Sequence, residues 1–388
     1  MLKHPLSIIS VLLSIEVLIL SLSRHERTKA WFDFLPPVFW IYFLPMLAAT
    51  LGVVDPKSPL YQLVITHLLP ASLVLLLLSV DVRAILRLGP VALLMFFIGA
   101  AGIMAGAGVS FFVFKHWVGV DFWSGFGALS ASWTGGSANM IAVKEALGVP
   151  DRIFAPMVIV DTVVPYVWMG TLIALAGWQA AFDTWNRSDR TILDDLTRRS
   201  AAVPAREYQR NSFRMMVIII VLAGLGSVGA QALANIMPQV KNVLSPYAWT
   251  IILVSLAGMA LSFTPVKKLE SYGSTKIGYW LLYFVLTAIG AKASIANVGS
   301  AVLLILAGFL IVAVHVVFLM LGARWLRAPL FLVAASSQAN IGGVASAPVV
   351  AAVYQPGLAS VGLLLAILGN IVGTYLGILC GQLCRMLS

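Results

Sequence analysis

The chain has 388 residues, of which 60% are hydrophobic and 10% charged, with a mean hydropathy of +0.97. Soluble domains carry about 25% charged residues, so a soluble globular enzyme or binding module is excluded and an all-α polytopic membrane protein is indicated. The net charge of +10 is no nucleic-acid footprint, because the basic residues lie in short segments between apolar runs, where they orient helices.

In chain order, apolar runs approaching the roughly 20 residues that span a bilayer fall at Leu6–Leu22, Leu35–Leu51, Leu60–Val80, Gly89–Phe114 and Ile153–Trp178. Others follow at Met215–Met237, Tyr247–Phe263, Ile277–Ala293, Ala301–Leu321 and Gly357–Cys384. The first run follows Lys3 but carries Glu16 and lacks a small-residue cleavage site, so a retained helix is expected rather than a cleaved signal. Trp31, Trp40, Trp117 and Trp123 near run ends read as an interfacial belt.

Two further apolar segments, Phe122–Val143 and Pro329–Val353, are interrupted by glycine pairs. The first holds Ser132, Thr134, Gly135, Gly136, Ser137 and Asn139; the second holds Ser336, Ser337, Gln338, Asn340, Gly342, Gly343 and Ser346. Glycine weakens a helix by about 1 kcal/mol per residue, and hydroxyls and amides are costly in hydrocarbon. Such stretches survive at membrane depth where protein covers them or a watery cavity solvates them. Paired interruptions in two halves of a chain point to a transporter binding site. Their serines, threonine and amides offer neutral oxygens and N–H groups, whereas Ala131, Ala138, Ala345 and Ala347 read as packing residues.

The segment Gln179–Arg214 is the most polar and is expected to be a cytoplasmic linker between an N-terminal membrane repeat, residues 1–178, and a C-terminal one, residues 215–388. Each half has four apolar runs, a glycine-pair segment and a long closing run. Gly135 and Gly342 are separated by slightly more than half the chain, and Asp161 and Asn370 by almost the same interval. A duplication is therefore expected, with about five transmembrane helices and one broken or re-entrant segment per repeat. The distribution of Lys and Arg does not separate parallel from inverted repeats; the inverted arrangement is preferred because it brings the two interruptions in from opposite sides, as alternating access requires.

The residues Trp133-Thr-Gly-Gly-Ser-Ala-Asn139, Asp161 to Tyr166, Gln338-Ala-Asn-Ile-Gly-Gly343 and Gly369-Asn-Ile-Val-Gly-Thr-Tyr375 resemble the YjcL-like family of bacterial and plastid membrane proteins. More distantly, the paired glycine-rich segments are similar to those of sodium/glutamate and sodium/citrate symporters, which have two inverted five-helix repeats with re-entrant hairpins. A related pattern of crossing broken helices belongs to sodium/proton antiporters and bile-acid symporters. The architectural resemblance implies transport but names no solute.

Asp161 interrupts an apolar run, and an intramembrane carboxylate is a functional hypothesis by default; it is the candidate ligand for Na⁺ or carrier of a proton. Asn370 is its neutral counterpart. Lys292 near the end of Ile277–Ala293 could pair with Asp161, bind a solute carboxylate or snorkel to the interface. Glu16 reads as peripheral, Asp81 with Arg83 as a loop pair, His315 as a satisfied packing residue, and Cys380 and Cys384 as inert buried thiols. Pro156 and Pro165 are expected to bend their helix.

No phosphate-binding loop, metal-spaced His/Cys set or haem motif occurs, so the chain is read as a non-enzyme without a cofactor, Na⁺ entering as a coupling ion. The expected function is Na⁺- or H⁺-coupled symport of a small polar, carboxylate-bearing solute across a bacterial inner membrane. The alternatives are a monovalent cation/proton antiporter, which would need two adjacent carboxylates, and a gradient-independent pore or membrane scaffold. The expected partners are the lipid bilayer and a small-molecule solute, with no nucleic acid; a homo-oligomer is left open.

Overall fold

The computed structural model describes residues 1–34, 37–189, 191–193, 195–196, 213–239, 245–293 and 301–388. The helices of the first half are α1 (Pro5–Leu22), α2 (Glu26–Phe34), α3 (Pro37–Thr50), α4 (Leu60–Leu78), α5 (Val82–Leu86), α6 (Pro90–Val118), α7 (Trp123–Gly135), α8 (Ser137–Leu147) and α9 (Asp151–Leu175). Then come α10 (Gln179–Asn186), α11 (Phe213–Ala234), α12 (Pro246–Ser262), α13 (Ser274–Lys292), α14 (Ala301–Leu326), α15 (Leu330–Ile341), α16 (Gly343–Tyr354) and α17 (Ala359–Met386). Among the described residues β structure is confined to an isolated bridge between Leu2 and Val54.

Each of the ten apolar runs forms a helix, and each glycine-pair segment forms two. Pro5, Pro90 and Pro246 open α1, α6 and α12, positions where the missing N–H costs nothing and the ring pre-sets φ. Among the described residues seven helices are long and apolar enough to cross a membrane, and an eighth if α12 is joined to Pro265–Tyr272, bent from it by 95°. The chain is thus an all-α, multi-pass membrane protein. Through Pro156 and Pro165, α9 runs from Asp151 to Leu175 without a break.

The chain packs as two units. The first comprises Met1–Val80, Lys144–Thr162 and Glu207–Val302; the second comprises Asp81–Val143, Val163–Arg206 and Leu303–Ser388. The division falls inside α8 and inside α9.

In the first unit, α4 packs against α11, α12 and α13, and α13 packs against α3 and α1. Small residues set these approaches: a methyl at Gly258 would meet the carbonyl oxygen of Val74, and one at Gly290 would meet that of Tyr42. Ala71 and Leu75 of α4 bury against Ile219 and Ala223 of α11. Pro70 lies inside α4 and cannot donate to Thr66 four residues earlier, so that carbonyl must find another donor. Gln231 Nε2 donates to Thr66 O at 3.0 Å, Ser227 Oγ to His67 O at 3.0 Å and Tyr247 OH to Ile65 O at 3.1 Å. A proline in one helix is thereby answered by polar side chains from two others.

Glu16 departs from expectation. It is fully buried on α1, and neither carboxylate oxygen has a hydrogen-bond partner among the described residues; an apolar run does not reveal which face of its helix packs inward. Asp81 caps α5, accepting from Ala84 N at 3.0 Å.

In the second unit, α17 lies along α7, and α6 packs against α7, α15 and α17. Glycines on α6 admit α14: a methyl at Gly102 would meet Phe318 and His315, and one at Gly106 would meet Ile311. Ser110 Oγ donates to Ala307 O at 2.7 Å across the same interface. Part of the segment expected to be a solvated linker is folded here as α10. Asp183 accepts from Leu330 N at 2.8 Å at the start of α15, and buried Asn186 donates to Ala323 O and Ala328 O at 3.1 and 2.9 Å. Residues 197–212 lie outside the described residues.

Candidate functional site

The second unit brings the two glycine pairs together. The chain leaves α7 at Gly136, whose φ of +84° suits a residue without a side chain, and its N–H closes on Ser132 O at 2.5 Å. It leaves α15 at Gly342, whose N–H reaches Gln338 O at 2.8 Å, and enters α16 at Gly343 with φ +65°. A methyl at Gly343 would lie 4.0 Å from Gly136 Cα, and one at Gly136 would lie 3.7 Å from Asn370 Oδ1 on α17. Two helix C-termini, two helix N-termini and an amide side chain therefore converge.

A stripe of small residues makes the approach possible. Methyls at Gly369, Gly373 and Gly377 of α17 would meet, respectively, Thr134 O, the Gly135 backbone and Ala131 of α7. Close backbone approach between small residues is the usual basis of helix association in lipid. The glycines of α17 and those of the first break thus form one interface.

An amide side chain bridges each break. Asn139, in the first turn of α8, donates from Nδ2 to Gly135 O at 2.6 Å, and its Oδ1 accepts from Thr374 Oγ1 at 2.5 Å. Gln338, in the last turn of α15, donates from Nε2 to Ser346 Oγ on α16 at 2.7 Å. Each bridge ties the two ends of an interrupted helix where backbone bonds are missing. Thr374→Val is expected to leave the Asn139 oxygen buried without a donor and to cost about 1–3 kcal/mol. Thermal unfolding in detergent checks this, with Thr374→Ser keeping wild-type stability.

Four buried oxygens on these helices have no hydrogen-bond partner among the described residues: Thr134 Oγ1, Ser336 Oγ, Gln338 Oε1 and Asn340 Oδ1. Buried polar atoms are ordinarily paired, so these are the atoms with capacity left to ligate a cation or accept from a solute. Their neighbours at the breaks supply the opposite polarity, since helix N-termini present free N–H groups to anions. Among the described residues no cluster of three His, Cys, Asp or Glu side chains could hold a metal.

Of the sequence-predicted residues, Ser132, Thr134, Gly135, Gly136, Ser137, Asn139, Ser337, Gln338, Asn340, Gly342, Gly343, Ser346 and Asn370 all belong to this unit. Asp161, half-buried on α9, and Lys292, half-buried as the last residue of α13, belong to the first unit. Asn340 faces α6, donating from Nδ2 to Phe96 O at 3.2 Å and to Ser336 O at 2.9 Å.

His315 is the satisfied buried residue expected, and one of its partners is Ser337 of the second glycine-pair segment. It is fully buried, with Nδ1 2.8 Å from Gly99 O and Nε2 2.9 Å from Ser337 Oγ. A carbonyl can only accept, so Nδ1 carries a proton; in the neutral ring Nε2 then accepts from the Ser337 hydroxyl. Ser337 Oγ in turn accepts from Trp168 Nε1 at 2.8 Å. Three helices, α9, α14 and α15, are linked through one site serine. A polar residue on an otherwise apolar helix was the available signal. Cys380 and Cys384 are buried free thiols, and Cys380 Sγ lies 3.1 Å from Ser130 Oγ.

Comparison with known proteins places the whole molecule. A family model described as "Protein of unknown function (DUF819)" matches residues 10–387, and the chain belongs to that family. It is similar to the "Uncharacterized membrane protein YjcL" of Bacillus subtilis (strain 168), 24% identical over 347 residues, covering 86% of each chain. Length, helix composition and this kinship agree on a multi-pass integral membrane protein.

Proposed function

We propose that this family member is a secondary active transporter that couples Na⁺ or H⁺ movement to symport of a small polar, carboxylate-bearing solute. The observation that carries the reading is the convergence of two glycine-broken helix pairs at Gly136 and Gly343, with Asn370 beside them. Helix N-termini directed at an anion and freed oxygens for a cation are the means by which transporters hold solute and ion together at the bilayer midplane. The two halves are read as inverted repeats, each giving one broken helix to the site; the nearly equal spacing of the glycine pairs and of Asp161 and Asn370 supports the duplication, and alternating access favours the inversion. Asp161 is assigned to ion coupling, since a carboxylate within an apolar helix is rarely kept without such use. Lys292 is assigned to balancing charge as solute and ion enter.

Uptake of radiolabelled carboxylates and amino acids by proteoliposomes, under imposed Na⁺ or pH gradients, tests this. Wild-type protein is expected to concentrate at least one of these solutes only when a gradient is present. Gln338→Ala and Asn370→Ala are expected to reduce that uptake by roughly tenfold or more, about 1.4 kcal/mol or more of binding. Asp161→Asn is expected to remove the ion dependence. Flux without a gradient would instead make the protein a pore, and unchanged ion dependence in Asp161→Asn would take that residue out of coupling.

A further inference from the structure

The second unit contains a cavity of about 430 Å³, walled in part by Trp168, Leu172, Phe182, Leu319, Val333 and Tyr354. Its volume lies within the roughly 300–1,000 Å³ range of ligand pockets. The wall is hydrocarbon and aromatic, and its buried polar groups are already engaged. Trp168 Nε1 donates to Ser337 Oγ at 2.8 Å, Ser337 Oγ faces His315 Nε2 at 2.9 Å, and Tyr354 OH donates to Leu172 O at 2.7 Å. A polar solute entering here would lose its hydration without gaining partners. An alkyl chain would lose nothing.

The rim has a different character. It is formed by Trp178 and by α10, whose Ala181, Phe182 and Trp185 line the cavity, while Gln179 and Asp183 share another face of the helix. Trp178 and Trp185 are 69% and 64% exposed, and indoles of this kind sit at the headgroup level of a bilayer. The Arg324 guanidinium lies over the Trp185 ring at 5.8 Å from its centroid and donates to Asn186 O at 3.2 Å. Arg187 caps the same helix and is exposed. Two acidic side chains nearby are held in place by neutral donors and keep their charge: Asp183 accepts from Leu330 N, and Asp189 accepts from Thr191 N and Oγ1 at 2.9 and 2.8 Å. An apolar shaft thus opens beneath an amphipathic, tryptophan-bearing helix with two exposed arginines beside it.

We infer that this cavity is a lipid site, taking one acyl chain of an anionic phospholipid whose phosphate rests against Arg324 and Arg187. Basic residues next to an apolar recess between helices recognise such lipids by charge, and the chain supplies the remaining affinity through buried methylenes. The site is separate from the glycine breaks and does not depend on transport. It is nonetheless attached to them, since Ser337 in its wall lies one residue before Gln338, which bridges the second break.

Native mass spectrometry of the purified full-length protein, equilibrated in detergent with equal phosphatidylglycerol and phosphatidylcholine, tests the assignment. Wild-type protein is expected to retain phosphatidylglycerol in preference to phosphatidylcholine. Ala181→Trp on α10 and Val316→Trp on α14, both lining residues, should each fill the cavity and lower retention roughly tenfold, with unfolding temperature preserved. Both positions face partly open space, so either variant suffices if the other fails to fold. Arg324→Gln with Arg187→Gln should abolish the preference for phosphatidylglycerol while retaining lipid. Unchanged retention in both filled variants, equal retention of the two lipids by wild type, displacement by water-soluble glycerol phosphate, or carriage of detergent alone would each overturn the assignment.

Discussion

Gly369→Ala is expected to destabilise the protein by about 1–3 kcal/mol, the usual cost of forcing a methyl into a closed interface. The obstacle is backbone rather than a yielding side chain. A Cβ at Gly369 would meet the Thr134 carbonyl oxygen and lie 3.2 Å from its carbon, so α17 would have to move away from α7 along the stripe that continues through Gly373 and Gly377. The displacement would also separate Asn139 from Thr374 and open the first break. Gly170→Ala is the internal control. Nothing lies within 4 Å of a methyl there, and alanine is the better helix former by about 1 kcal/mol, so that variant should match or exceed wild-type stability. Thermal unfolding of the two variants in one detergent measures the contrast. Wild-type unfolding of Gly369→Ala would mean that the two helices do not approach so closely.

The same glycines show how much of the fold and site is legible in the sequence. Apolar runs locate helices because a span must satisfy its own backbone, and length and composition alone satisfy that condition. Glycine pairs locate breaks because the positive φ at Gly136 and Gly343 is a local demand on residue type. What meets what is not local. Thr374 donates to Asn139 from 235 residues away, and no spacing rule within either segment specifies it. The stripe Gly369, Gly373, Gly377 carries the periodicity of a packing face, but its counterpart on α7 is only half glycine, so complementarity emerges once both helices are in place. The burial of Glu16 is hidden because an apolar helix in a membrane has no polar face to mark the exposed side. Gln179–Asn186 reads as linker because its polar residues outweigh its aromatic ones in a simple count. As a helix, it sets Ala181, Phe182 and Trp185 against the cavity, and Asp183 and Asn186 find hydrogen-bond partners around the end of α14 and the start of α15.

Lys144→Met is expected to cost about 3–5 kcal/mol, the penalty for removing one member of a buried charge cluster. Lys144 is 4% exposed at the end of α8, with Nζ 2.8 Å from Glu145 Oε1 and 3.1 Å from Asp151 Oδ1 in the first turn of α9. The Phe154 ring lies 5.4 Å from the same nitrogen. One ammonium holds two carboxylates across the turn at Gly148, and without it they would face each other at 12% and 24% exposure with nothing between them. Methionine keeps most of the volume, so the loss reports charge rather than a cavity. The triple variant Lys144→Met, Glu145→Gln, Asp151→Asn should recover most of the stability, because like-sized neutral groups no longer demand a counter-ion. Asp151 is the first residue of α9, where a negative charge is favoured by the helix dipole by about 0.3–1 kcal/mol, so Asp151→Asn should carry only that small penalty of its own. Thermal unfolding of the single and triple variants decides the matter. A triple variant no more stable than the single one would assign the role of Lys144 to its contact with Phe154, and the turn between α8 and α9 would then be held by packing alone.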